Sequence, residues 1–219
     1  MMAYIKDIFN LFRKHYAENV RFYSLLALQI FAVPLLLAIL SKSAVNAATI
    51  SMALVGLTML LVVHISVKGL RSRYTFVVEN TLPVSTGVRY GFILINSTAV
   101  VLLGFVVLYF PSLLLSCWLF PIDGGFEWVL DCVFLYNYQA FINILGIHAL
   151  ILVVNILVRK RPLLGYALAA LAMALVSHIV MTNFDIEYRD MVMMGVNIAL
   201  IAVSWVGSYF LLRNFQYKD

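Results

Sequence analysis

Six long apolar runs alternate with short polar segments along the chain. Each run is close to the twenty or so residues that a transmembrane helix needs to cross the hydrocarbon core. The runs are residues 22–40, 47–67, 90–110, 132–158, 163–182 and 191–212. The pattern predicts an all-α polytopic membrane domain of six transmembrane helices over residues 22–212, followed by a short tail at 213–219. The third run is ambiguous because apolar residues continue from Pro111 to Phe120, so residues 111–120 either complete that span or re-enter the membrane.

Residues 1–21, before the first run, form a second kind of pattern. Apolar side chains recur there at the spacing of one helical face, while charged and amide side chains fill the other face. The apolar face consists of Ile5, Ile8, Phe9, Phe12 and Tyr16. The pattern predicts an amphipathic helix that lies in the membrane interface and contacts lipid. The alternative is a flanking segment that only fixes the topology.

Charge is scarce and unevenly placed. Hydrophobic residues make up 64% of the chain and charged residues 11%, against about 25% charged in soluble domains, which indicates an integral membrane protein. If the N-terminus faces the cytoplasm, thirteen Lys and Arg residues lie inside, and only Lys42 and Arg189 lie outside. The positive-inside rule therefore predicts that both termini face the cytoplasm. The net charge of +5 is explained by this topology and does not indicate a nucleic-acid partner.

Motifs for catalysis and metal binding are missing from the sequence. It contains no HExxH, no GxSxG and no P-loop, and we predict no metal site. His64, His148 and His178 are the candidate residues for an intramembrane enzyme, but none has an acidic residue in its own run, which favours packing roles. Cys117 and Cys132 lack metal-ligand spacing and are expected to be packed thiols, with a disulfide as the alternative.

Neutral polar residues occur inside the predicted spans, whereas no Asp, Glu, Lys or Arg lies in the middle of one. Ion-coupled carriers usually keep an ionisable group there, so this class is disfavoured. Asn137, His148 and Asn155 of the fourth run fall on nearly one helical face, and Asn96 lies in the third run. These side chains either join helices through hydrogen bonds or line a substrate pathway.

The longest cytoplasmic connection, residues 68–89, contains "RSRYTFVVENTLPVS". Its first part can form a short helix, and Pro83 and Ser85 mark the exit from it. Together with the N-terminal helix and the six spans, this segment resembles the membrane subunit of ABC-2 type transporters, in which an "LPxS" motif follows a coupling helix. Leu82, Pro83 and Ser85 match that motif. The alternative is a solvated turn, although the other inside loop reverses the chain within four residues.

The resemblance implies a permease subunit that exports a hydrophobic or amphipathic compound. A separate cytoplasmic subunit would bind and hydrolyse ATP with Mg²⁺, so the chain itself would be no enzyme and hold no cofactor. The permease would pair as a homo- or heterodimer in a bacterial cytoplasmic membrane. The residues implied in docking the ATPase are Arg71, Arg73, Tyr74, Phe76, Val77, Val78, Glu79, Leu82, Pro83 and Ser85. Two other classes stay open, a non-transporting accessory or scaffold protein and an intramembrane enzyme.

Overall fold

The computed structural model describes residues 2–51, 53–68, 85–121, 127, 138–158 and 161–216. Every regular element in these ranges is a helix. In chain order they are α1 (Met2–Glu18), α2 (Val20–Ser41), α3 (Ala44–Ser51), α4 (Ala53–Ser66), α5 (Thr86–Leu119), α6 (Tyr138–Leu157), α7 (Pro162–Asn183) and α8 (Ile186–Gln216). The predicted all-α class is therefore confirmed for the described part of the chain.

Four of these helices are long and apolar enough to cross a membrane. They cover Val20–Ser41, Thr86–Leu119, Leu163–Asn183 and Ile186–Asn214. Two shorter apolar helices, Gly56–Ser66 and Ile142–Leu157, lie in the second and fourth predicted runs. Both of those runs include residues outside the described ranges, namely 52 and 132–137. The protein is an integral membrane protein, while the count of six spans and the orientation stay predictions.

α5 continues through Pro111 to Leu119, so the segment 111–120 that the sequence left ambiguous mostly extends the third predicted span. Proline lacks the N–H that would pair with the carbonyl of Val107. A π-helical turn, Phe105–Tyr109, ends two residues before Pro111 and has a different backbone hydrogen-bond pairing from the α-helix. A second π-helical turn covers Asn96–Val100.

One compact unit of the chain comprises Met1–Val62 and Leu94–Phe141. Within it, α2 packs against α3 and the last turns of α5 through Leu26, Ile30, Pro34 and Ala38, which recur every four residues. Pro34 cannot donate to the preceding turn of α2. The carbonyl that loses its helical partner is that of Ile30, and the Ser112 hydroxyl of α5 donates to the next carbonyl along α2, that of Phe31, at 2.6 Å.

The other compact unit comprises Val63–Ile93 and Ile142–Asp219. Gly165 of α7 is buried and packs closely on Val154 of α6 and on Val158, the residue that follows α6. Ala169, four residues after Gly165, is half-buried, while Ala170 and Ala174, a second pair of small residues four positions apart, are exposed. The exposed face of α7 is rich in leucine and isoleucine, in keeping with contact to lipid.

Candidate functional site: a polar junction between the N-terminal helix and α5

A hydrogen-bonded cluster joins α1, the start of α2 and α5 within the first unit. The Tyr16 hydroxyl donates to Oδ1 of Asn96 at 2.8 Å, and Nδ2 of Asn96 donates to the Tyr23 hydroxyl at 2.8 Å. His15 completes the cluster, with its Nε2 2.9 Å from the Tyr23 hydroxyl. Asn96 is fully buried, so its amide finds these partners inside the protein. We call these four residues the polar junction.

Aromatic packing reinforces the polar junction. The rings of Tyr16 and Tyr23 lie 4.3 Å apart between centroids, and the His15 ring meets Tyr23 edge-on at 5.7 Å. Phe12 stacks on Tyr16 from the preceding turn of α1. These contacts fix the ring positions, so the hydrogen bonds to Asn96 do not depend on freely rotating side chains.

Burial determines the protonation states in the junction. It lowers the pKa of His15 to about 4, because the charged imidazolium would lose its hydration. Burial, with a smaller contribution from the neighbouring Tyr23, raises the pKa of Tyr16. Tyr16 therefore remains a hydroxyl donor near neutral pH, and the neutral His15 ring can accept the hydroxyl hydrogen of Tyr23 at Nε2.

This protonation pattern predicts an acid-sensitive stability. The folded pKa of His15 is about 4 and its ordinary value is about 6.5, so the unfolded chain binds more protons between these values. The contribution of His15 to the free energy of unfolding is then fully present above roughly pH 6.5, and it is lost as the pH drops towards about 4. We expect the apparent melting temperature of the detergent-purified protein to decline over this window. His15→Gln, which cannot titrate, should show a flatter profile, and equal slopes for the two proteins would contradict the assignment.

The junction lies at a π-helical turn of α5. Asn96 is the first residue of the turn Asn96–Val100, and such turns occur often at functional sites because they alter the regular pairing of the backbone. α5 begins at Thr86, ten residues earlier, which is about 15 Å along a helix axis. The polar junction therefore connects the N-terminal helix to α5 at a point about half a membrane span from the start of α5.

The side chains of the predicted interfacial face of α1 lie in two different environments. Ile5 and Phe9 are largely exposed, at 60% and 68%, and are available to lipid. Phe12 and Tyr16 are half-buried in the junction. The sequence interpretation placed Tyr16 among the lipid contacts, but its hydroxyl contacts Asn96. Ile8 is half-buried as well.

Most residues implied in ATPase docking lie outside the described part of the chain. These are Arg71, Arg73, Tyr74, Phe76, Val77, Val78, Glu79, Leu82 and Pro83. Ser85 is described, and its Oγ accepts a hydrogen bond from the backbone N–H of Val88 at 3.3 Å, which makes it the N-cap of α5. Arg89, one turn later, is buried in the second unit.

The second unit contains the other candidate polar residues. The Tyr166 hydroxyl donates to Oδ1 of Asn155 at 2.8 Å, and Nδ1 of His64 lies 3.4 Å from the same hydroxyl. These contacts join α4, α6 and α7, so for Asn155 the structure shows an interhelical hydrogen bond. Asn137, on the same predicted stripe, lies outside the described ranges.

The remaining histidines have different surroundings. His148 of α6 is fully buried and meets the Trp205 ring edge-on at 6.3 Å, whereas His178 is exposed on α7. Among the described residues, no three His, Cys, Asp or Glu side chains are grouped so that they could hold a metal ion. Cys117 is half-buried with a free thiol, and Cys132 lies outside the described ranges.

Sequence reasoning missed His15 and Tyr23 as members of the junction. Tyr16 and Tyr23 are seven residues apart, which returns them to one helical face, and this spacing opposite a buried asparagine was the available signal. Comparisons of the chain with protein-family models, with curated proteins and with solved structures find no match. The polar junction links α1 to α5 through the hydrogen bond between Tyr16 and Asn96.

Proposed function

We propose that this protein is the permease subunit of an ATP-driven transporter of the ABC-2 type. In this proposal the chain has six spans with both termini in the cytoplasm and pairs with a second permease in a bacterial inner membrane. Two cytoplasmic ATPase subunits supply the energy, and the exported compound is hydrophobic or amphipathic. The chain itself catalyses nothing.

The observation that carries the proposal is the hydrogen bond from Tyr16 to Asn96. An exporter driven by a separate ATPase needs a mechanical route from its cytoplasmic loop to its membrane helices. The predicted loop 68–89 overlaps the start of α5, which Ser85 caps, and α5 carries Asn96 at the polar junction. A displacement of that loop would then move α5 and, through the junction, the interfacial helix.

The composition of the buried interior also supports an energy source outside the chain. Apart from Arg89 near the start of α5, every buried polar side chain among the described residues is a hydroxyl, an amide or an imidazole. A carrier coupled to protons or ions would be expected to keep an ionisable carboxylate or amine within its spans. The neutral polar groups found instead favour transport of a compound that carries little charge.

Co-purification tests the proposal. The tagged protein is isolated from its native membrane in a mild detergent, and the recovered partners are identified. We expect a Walker-A ATPase to be recovered with the wild-type chain. Phe76→Asp, and separately the charge reversal of Arg71 and Arg73, should reduce its recovery by at least about tenfold, since apolar anchors and central charges dominate such interfaces.

The matched control is Lys42→Glu, a charge reversal at the predicted outer face, which should leave ATPase recovery unchanged. Membrane insertion of every variant is checked by extraction and gel filtration. Undiminished association of both docking variants would overturn the docking role. Repeated absence of any ATPase would favour the non-transporting scaffold.

A further inference from the structure

A buried polar face runs along α8 in the second unit. Asn197, Ser204 and Ser208 are spaced seven and four residues apart, which places them on one side of the helix. All three are buried, and Asn197 and Ser208 are almost completely so, at 1% and 0% exposure. Trp205 follows Ser204 in the sequence, and Nε1 of its indole is buried. We call these four residues the α8 polar face.

At one end of this face, the side-chain amide of Asn197 has a hydrogen-bond partner within the described ranges for its nitrogen but not for its oxygen. Its Nδ2 donates to Oδ1 of Asn143 on α6 at 2.6 Å, but its buried Oδ1 has no hydrogen-bond partner among the described residues. A Cβ atom on Gly146 would lie 3.0 Å from that oxygen. Glycine at this position of α6 therefore leaves room for the amide between the two helices.

At the other end, two buried donors lack acceptors. Nε1 of Trp205 and Oγ of Ser208 have no partner among the described residues. The Tyr90 hydroxyl donates to the backbone carbonyl of Trp205, and His148 meets its ring edge-on. The indole ring thus contacts His148, while its N–H has no hydrogen-bond partner within the part of the chain that the structure describes.

Unpaired polar atoms in a membrane interior are unfavourable, since hydrocarbon offers no replacement for water. Alanine and phenylalanine would fill the positions of Ser208 and Trp205 without that penalty. In the described part of the chain, α8 has three such atoms: two donors, on Trp205 and Ser208, and one acceptor, on Asn197. Because buried polar groups are normally hydrogen-bonded, these atoms indicate that a bound ligand supplies the partners. Leu212, one turn after Ser208 on α8, is fully buried and apolar.

We propose that the α8 polar face binds a neutral amphipathic molecule through a hydroxyl head group. The Trp205 indole N–H would donate a hydrogen bond to that hydroxyl, and the Ser208 hydroxyl would donate to it or accept from it. Oδ1 of Asn197 offers an acceptor further along the same face. The members of the face carry no charge, so an alcohol-type head group fits better than an ion. The identity of the bound molecule as a transported substrate rests on the proposed function, but its binding does not require an ATPase.

The test uses the full purified chain without any partner, with 1-decanol as the probe and decane at equal concentration for comparison. A ligand that binds only the folded state raises the melting temperature. At saturating decanol we expect a rise of roughly 3–8 °C for a chain of this size, and no comparable rise with decane. Equal shifts with both compounds would overturn the proposal, because they would show that the hydroxyl is not recognised.

Two variants assign the site. Ser208→Ala and Trp205→Phe each remove an unpaired donor, so their melting temperatures without decanol should equal or exceed that of the wild type, while the decanol shift is lost. Ser41→Ala is the matched control, because this exposed hydroxyl already donates to the carbonyl of Leu37, and it should keep the shift. A full decanol shift in both α8 variants would overturn the assignment. Since no ATPase is present, failure here is separate from failure of the co-purification test.

Discussion

Replacing Asn96 with leucine is expected to lower the apparent melting temperature of the purified protein by roughly 4–8 °C. The substitution removes the hydrogen bonds of a fully buried amide to Tyr16 and Tyr23, so the Tyr16 hydroxyl loses this acceptor, while the Tyr23 hydroxyl keeps its contact with Nε2 of His15. Leaving buried groups unpaired in this way costs about 2 kcal/mol. In a domain of about 200 residues, that loss corresponds to the stated shift. Thermal unfolding followed by gel filtration measures it.

A double-mutant cycle distinguishes the interaction energy between Tyr16 and Asn96 from the effect of lost packing. Tyr16→Phe removes one donor, and the pair Tyr16→Phe with Asn96→Leu should cost less than the two single losses added together, because both remove the same hydrogen bond. Asn183→Leu is the matched control: its amide is exposed and donates to the carbonyl of Ile179 and the hydroxyl of Thr182 in the same helix, so its effect should be small. Strict additivity in the cycle would show that Tyr16 and Asn96 do not interact.

The same variant distinguishes coupling from docking under the proposed function. Asn96 lies in α5, away from the predicted docking segment 68–89, so Asn96→Leu should still recover the ATPase. Transport per ATP hydrolysed should nevertheless fall, because α1 and α5 are no longer joined at the polar junction. Loss of ATPase recovery in this variant would instead indicate a general folding defect.

The helical class and the amphipathic α1 could be predicted because both rest on local periodicity. Runs of apolar residues predict transmembrane helices through their length alone, and four such helices are present among the described residues. The partner of each polar side chain could not be predicted in this way. Tyr16 follows the apolar spacing of α1, yet its hydroxyl bonds to a residue 80 positions later, and periodicity within one helix contains no information about such a contact.

Helix boundaries show the same limit. The sixth predicted run covers 191–212, whereas α8 covers Ile186–Gln216. Its first turn contains Glu187, a polar residue that a hydropathy pattern excludes but that suits the N-terminal end of a helix dipole. Similarly, Pro111 suggested a break in the third run, whereas α5 continues through it to Leu119, and the π-helical turn Phe105–Tyr109 that precedes it has no reliable sequence signal.

Gly165→Leu is expected to lower the free energy of unfolding by about 3 kcal/mol, and Gly165→Ala by about 1 kcal/mol. A Cβ at this position would lie 2.3 Å from Cγ1 of Val154 and 3.3 Å from Cβ of Val158. Valine is stiff in a helix and cannot move that methyl away by changing its rotamer. The clash therefore outweighs the gain of about 1 kcal/mol that alanine usually brings to a helix.

Two comparisons make this prediction specific to the contact between α6 and α7. Val154→Ala removes the obstructing methyl groups, so the double variant with Gly165→Ala should be more stable than Gly165→Ala alone. Gly195→Ala on α8 meets no atom within 4 Å and should be neutral or stabilising, since only the helix propensity changes. A gain in stability from Gly165→Ala matching that of Gly195→Ala would show that α7 does not approach α6 at Gly165. A loss that Val154→Ala relieves would establish Gly165 as an intrachain packing residue, and only the exposed Ala170 and Ala174 would then be available to a second copy.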